Sequence, residues 1–315
     1  MKPTSSYSPI REPARPRRWS YPVLAVLALL AAHPALATDI KITDDLGRPV
    51  VLKAPAKRIV ALYGALNEIL AGMGLTGRLV ARTEADHEPP AIETLPVIGT
   101  HMRPNLERVL AVKPDLVLQL AGRGESLDTA DKLGNFGVPV AVFAVSDFPN
   151  LFAAIDRIGV LTGAPEAAQT LRQGLEKRLA AVKATIPSGK QPTVFFEARS
   201  GNLLTAGKES MVTAVIEAAG GENVVSQDKK LVRLADEELL RLAPEVCLTQ
   251  RGPMNPEARP MASRPEYAGL PCVRNGRSFV VDEALYSRPG PRSVAAVEEL
   301  ARLLYPNAAI PEARP

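Results

Sequence analysis

Residues 99–118 read "GTHMRPNLERVLAVKPDLVL" and hold a loop, a short helix and a strand in direct succession. Pro104 suits a first helical turn, Leu106, Val109 and Leu110 share one face, and Pro114 ends the helix. "DLVLQL" then reads as a strand with no polar alternation, the pattern of a sheet covered on both faces. A shift of 130 residues lays "RPNLERVLAVKPDLVL" over "RLADEELLRLAPEVCL": Arg103 falls on Arg233, Glu107 on Glu237, Leu110 on Leu240 and Pro114 on Pro244. One supersecondary unit is thus used once in each half of the chain.

Working outward, "DIKITDDLGRPVVL" (39–52) reads as a hairpin around a polar turn. "RIVALY", "RLVAR", "DLVLQL" and "VPVAVFAV" follow as strands, separated by helices near 65–73, 104–113 and 126–136. From Asn150 to about Ile186 the pattern is helical, broken once at "TGAP", and 164–186 is expected to be one continuous rod. The alternation restarts with "TVFFEA", a helix through Val215, a helix at 236–242, "EVCLTQ", "SFVVDE" and a last helix from Arg292 to Leu304. The fold class is α/β: two doubly wound lobes joined by one long helix. The expected organisation is a leader at 1–37, an N-terminal lobe at 38–149, a linking helical segment at 150–187 and a C-terminal lobe at 188–315.

The leader carries Lys2, Arg11, Arg15, Arg17 and Arg18, a short apolar run from Tyr21, and "ALA" at 35–37. This is the pattern of a secretory signal peptide cut after Ala37, with either the general or the twin-arginine route open. Five of the 38 Lys/Arg and one of the 34 Asp/Glu lie there, so the remaining 33 and 33 balance. The basic pI of 9.1 belongs to the leader, and nothing points to nucleic acid. An exported chain can oxidise Cys247 and Cys272; a bridge and two buried thiols both remain open.

The mature chain resembles the periplasmic substrate-binding proteins of ABC importers for iron–siderophore complexes, haem and cobalamin. The resemblance runs from about Ile40 to Pro306 and is carried by "ITDDLGRPVVL", "NEILAGMGLTGRLVART", "DHEPP", "LGNFGVPVAVF", "LTAGKESMVTAVIEAAGGENV", "DEELLRLAPEVCL" and "SRPGPRSVAAVEELARLLYP". It implies a ligand cleft between the lobes, little hinge closure, a monomer in the periplasm, an inner-membrane ABC permease as partner, and no resident cofactor. "DHEPP" departs from the family's commoner "DYPP", because His87 replaces an aromatic ring.

Ligands of open α/β sheets bind beyond the carboxyl ends of the strands. Here those loops carry Tyr63, Asp86, His87, His101, Arg103, Arg123, Arg199, Arg251 and Arg288, with Arg233 ahead of its helix as Arg103 is ahead of its own. Guanidinium forks match carboxylates and phosphates, so the expected ligand is an anionic metal chelate: ferric siderophore or haem, then cobalamin. Tyr63 and His101 can ligate a chelated metal, or serve as a stacking wall and a polar rim contact. An oxyanion such as molybdate is the alternative. A bare-metal site would need more histidines than His87 and His101, and an exported enzyme finds no support, since no nucleophile elbow, metalloprotease or P-loop motif is present. Glu107 and Glu237 suit the first turn of their helices; the resemblance implies that each meets arginines of the permease.

Overall fold

The structure, a computed structural model, describes residues 39–122 and 124–311 together with Met1, Ser8 and Pro9. The expected leader, those three residues apart, and Arg123 lie outside the described residues. The chain opens with the expected hairpin, β1 (Ile40–Thr43) against β2 (Pro49–Leu52). Its turn is held by Asp44, whose Oδ1 accepts from the backbone of Leu46 and Arg48 at 3.0 and 2.9 Å, an Asx-type turn that the Asp-Gly spacing favours.

Then come β3 (Ile59–Ala61), α1 (Gly64–Gly72), β4 (Leu79–Ala81), α2 (Leu106–Ala111), β5 (Leu116–Leu120), α3 (Gly124–Asn135) and β6 (Val140–Phe143). The strands form an all-parallel sheet in the order β4-β3-β5-β6. Strand order reverses between β3 and β5, so a ligand crevice is expected at their carboxyl ends. Every residue of β5 is buried, as a strand covered on both faces must be.

Helix α4 (Phe148–Thr162) ends at Gly163, whose φ of 63° supplies the left-handed cap that an L side chain resists. The rod follows as α5 (Pro165–Thr185), bounded by Ala164 and Ile186, the limits expected from sequence. Arg172 ties it to Asp156 of α4 at 3.0 Å. The second lobe holds β7 (Thr193–Arg199), β8 (Leu204–Ala206), α6 (Met211–Ala218), β9 (Glu222–Asn223), β10 (Leu231–Arg233), α7 (Asp236–Leu242) and β11 (Val246–Arg251). It closes with α8 (Pro271–Arg274), β12 (Ser278–Asp282), α9 (Glu283–Tyr286) and α10 (Ser293–Leu304). Arg178 of the rod grips Glu298 of α10 through two bonds of 2.8 and 2.9 Å. The second sheet has parallel β7, β11 and β12, but β8 and β10 add antiparallel edge strands that the apolar pattern did not announce.

The 130-residue echo is carried into backbone detail. Helices α2 and α7 begin at 106 and 236, and strands β5 and β11 at 116 and 246. Lys113 and Ala243 both adopt φ of 47°, a left-handed residue before each proline. The next residue is acidic in both copies and clamps the start of the neighbouring strand: Asp115 accepts from the backbone of Lys57 and Arg58, and Glu245 from that of Thr193. Val117 pairs with Val60 in the first sheet, and Cys247 with Phe195 in the second. Where Val117 merely packs, Cys247 is bonded to Cys272 of α8, with Cα atoms 5.7 Å apart.

Two outcomes follow from this repeat. Left-handed φ costs an alanine roughly 1–2 kcal/mol, so Ala243→Gly is expected to raise the melting temperature despite the added freedom of the unfolded chain; an unchanged or lower value would show that the turn is unstrained. The bridge closes a span of 25 residues, worth about 3 kcal/mol by loop-closure entropy. Reduction, or Cys247→Ser with Cys272→Ser, should therefore lower the melting temperature by several degrees, and unfolding indifferent to reductant would contradict it.

Candidate functional site

The loops at the carboxyl ends of β3 and β4 meet the 287–293 loop of the second lobe across the start of α1. Tyr63 caps α1 in extended conformation, and its ring stands edge-on to His101, with centroids 5.3 Å apart. Gly64 follows at close quarters: a Cβ there would lie 2.8 Å from Asp86 Oδ1 and 3.1 Å from Arg288 Nη1, and would force those side chains to shift. An N-lobe carboxylate and a C-lobe guanidinium thus converge over one glycine. Gly290 does the same from the other side, since its Cβ would stand 2.8 Å from that of Ala65. Around this seam Asn67 Nδ2 donates to Asp86 Oδ2 at 3.2 Å. Ser293 Oγ donates to the Arg288 carbonyl at 3.1 Å, fixing the loop that carries the guanidinium. Ser287 Oγ donates to Gln250 Oε1, which reaches over from the end of β11.

Burial sets the protonation of these groups. It lowers the His101 pKa, which Asp86 opposes and Arg288 reinforces, so the imidazole is neutral at pH 7. It raises that of the Tyr63 phenol, against the pull of Arg288. Asp86 is raised by burial, while hydrogen bonding and Arg288 act the other way. Glu68 of α1 moves furthest, from 4.5 to about 7; its burial outweighs Arg292, 3.7 Å away at the start of α10, and Arg288. The site therefore offers a neutral imidazole, a neutral phenol, two guanidiniums and carboxylates that hold their charge poorly.

Of the residues singled out from sequence, Tyr63, His101 and Arg288 gather at this seam. His87 does not: it is exposed and turns to Glu93 at 3.4 Å. Arg103 lies in the loop ahead of α2, its backbone bonded to Thr100. Arg199 bonds Asn202, and Arg251 the carbonyl of Ala258, both within the second lobe. Arg233 is exposed at the end of the edge strand β10, three residues ahead of α7 as Arg103 is three ahead of α2, so the echo holds here. Arg123 lies outside the described residues. Sequence reasoning passed over Asn67, Glu68 and Arg292; the first two lie in the apolar helix α1 and the third at the start of α10, where each reads as an ordinary helical polar residue.

A cavity of about 740 Å³ opens in the C-terminal lobe between Ser200, Glu237, Arg259 and Tyr267. Its wall holds Glu197, fully buried yet served by both nitrogens of the Arg264 fork at 2.8 and 2.6 Å and by Thr249 at 3.1 Å. Arg264 stacks over Tyr267, 4.9 Å from the ring centre, and Tyr267 donates to Asp236 at 2.6 Å. Glu107 and Glu237 are exposed, each the second residue of its helix. Among the described residues, no group of three or more His, Cys, Asp or Glu side chains is arranged to hold a metal ion.

Two α/β lobes, one on a parallel and one on a mixed sheet, joined by a long helix with charged loops meeting between them, have the architecture of a periplasmic binding protein. The chain belongs to that family, whose sequence profile matches residues 59–285. An uncharacterized ABC transporter substrate-binding lipoprotein of Bacillus subtilis is 28% identical over 274 residues, 85% of this chain and 86% of that protein. A vitamin B12-binding protein of Vibrio parahaemolyticus is 24% identical over 78% of this chain and 88% of its own. Among solved structures, the periplasmic haem-binding protein of Roseiflexus superposes with a TM-score of 0.69 at 25% identity, covering 80% of this chain and 98% of that one.

The state of Glu68 makes stability depend on pH in a defined direction. Its folded pKa lies above the unfolded one, so the folded chain binds the proton more tightly. The contribution is full below about pH 4.5 and is lost as pH rises through 7, amounting to about 3 kcal/mol at most. Glu68→Gln stays neutral throughout, so its stability relative to wild type should climb between pH 5 and pH 8. Parallel melting curves across that range would contradict the assignment.

Proposed function

We propose that this protein captures a metal chelate between its lobes and presents it to an ABC permease. The observation that carries the reading is the convergence over Gly64: Tyr63, His101 and Asp86 from one lobe meet Arg288 from the other. Such a site binds across the lobes, and it offers a phenol, an imidazole and a guanidinium to a single ligand. Ferric siderophore or haem fits these groups ahead of cobalamin, with an oxyanion as the alternative. The metal is cargo, held by the chelate, and no step of catalysis is assigned. The basic leader and the periplasmic relatives support a periplasmic location, with the leader cut after Ala37 and the mature chain a monomer.

Delivery uses the far ends of the repeat. Glu107 and Glu237 occupy matching helix starts, one on each lobe, and stand in solvent. Exposed ion pairs are worth about 0.2–1 kcal/mol each, so a pair of them orients the docked protein rather than anchoring it. Glu107→Arg combined with Glu237→Arg should leave chelate affinity within about twofold and abolish uptake and stimulation of transporter ATPase activity. Wild-type uptake at normal expression would reduce both glutamates to helix-start acids.

A further inference from the structure

The seam poses an electrostatic problem for an anionic ligand. Arg288 and Arg292 are the cations that the C-terminal lobe turns toward α1, yet Asp86, Glu88 and Glu68 face them from the other lobe, and Glu283 adds to the negative field at Tyr63. With every acid ionised the guanidiniums are already matched, and an incoming carboxylate or phosphate would be repelled.

Glu68 differs from its neighbours in how little supports its charge. Its side chain is 8% exposed, and Arg292 stands at 3.7 Å, beyond hydrogen-bond distance. Its Oε1 has no hydrogen-bond partner, and its Oε2 faces Gly290. Asp86, by contrast, accepts a bond from Asn67. A buried carboxylate without donors holds its charge at a penalty, and protonation both removes that charge and frees Arg292.

We propose that Glu68 is the proton-coupling residue of the cleft: it takes up one proton from solvent when an anionic group of the ligand settles against Arg288 and Arg292. Capture is then tighter at pH 6 than at pH 8. The upward displacement of its titration to about 7 places the coupling near neutrality. Arg292, Arg288, Glu88 and Asp86 are the charged groups that face it, and a ligand anion joins the last two in favouring the protonated form. The proposal rests on the chelate-binding reading and its anionic ligand.

Calorimetric titration tests it with haemin and ferric citrate as probes, at pH 6, 7 and 8, each in two buffers of different ionisation enthalpy. Wild type should bind about three- to tenfold more weakly at pH 8 than at pH 6, with uptake approaching one proton per ligand at the upper end. Glu68→Gln, fixed in the neutral form, should bind with little pH dependence and little uptake. Equal pH slopes in the two proteins, or wild-type binding with no proton uptake, would overturn the coupling while leaving chelate binding intact. Failure of both probes to bind at pH 6, with cobalamin binding instead, would overturn the coupling and the anionic ligand together. If the variant does not fold, the buffer-pair measurement on wild type decides alone.

Discussion

The molecule turns on a contact that leaves no room for side chains. Gly290 of one lobe lies against Ala65 of the other, and Asp86 and Arg288 meet above Gly64. Backbone-close packing of this kind is available only to glycine, and it brings charged groups from separate sheets within reach of one another. The rod sets the frame for that meeting. Arg172 joins it to α4 and the buried Glu298–Arg178 pair joins it to α10, so the two sheets are held at one spacing by a helix rather than by a flexible strand crossing.

Much of this was legible in the chain because its signals are local. Proline and glycine punctuation bounded the rod within a residue at each end, and the echo of "LERVLAVKPDLVL" in "DEELLRLAPEVCL" foretold helix and strand starts that recur 130 residues apart. What stayed hidden depends on distant partners. Strands β8 and β10 are three residues each and exist only through pairing with β7 and with one another. The bridge between Cys247 and Cys272 was undecidable until α8 folded back beside β11. The loop arginines looked alike in sequence, yet Arg288 comes to Asp86 beside Tyr63 while Arg199 and Arg251 bond within their own lobe, because a guanidinium reaches whatever its loop turns toward. Glu68 and Arg292 had no signal at all, since a buried acid within an apolar helix looks like an ordinary helical glutamate until the facing lobe is in place.

The lobes share a plan but not a chemistry. The first contributes rings and acids to the seam, the second its guanidiniums. Beyond the seam, the second lobe devotes its carboxyl-end loops to a polar network around Glu197 and Arg264, on a segment spanned by the disulfide and nearly free of regular structure. Repetition of one unit thus supplies the architecture of both lobes, and the loops around it diverge, with the disulfide present in one copy only.

The central claim is that a metal chelate occupies the seam intact. Native mass spectrometry of protein purified from its own host, coupled to its absorption spectrum, measures this most directly. The account predicts one chelate per chain, released unchanged on denaturation and lost from an Arg288→Ala, Tyr63→Ala variant. A bound species that retains full occupancy in that variant, or that leaves chemically altered, would contradict it.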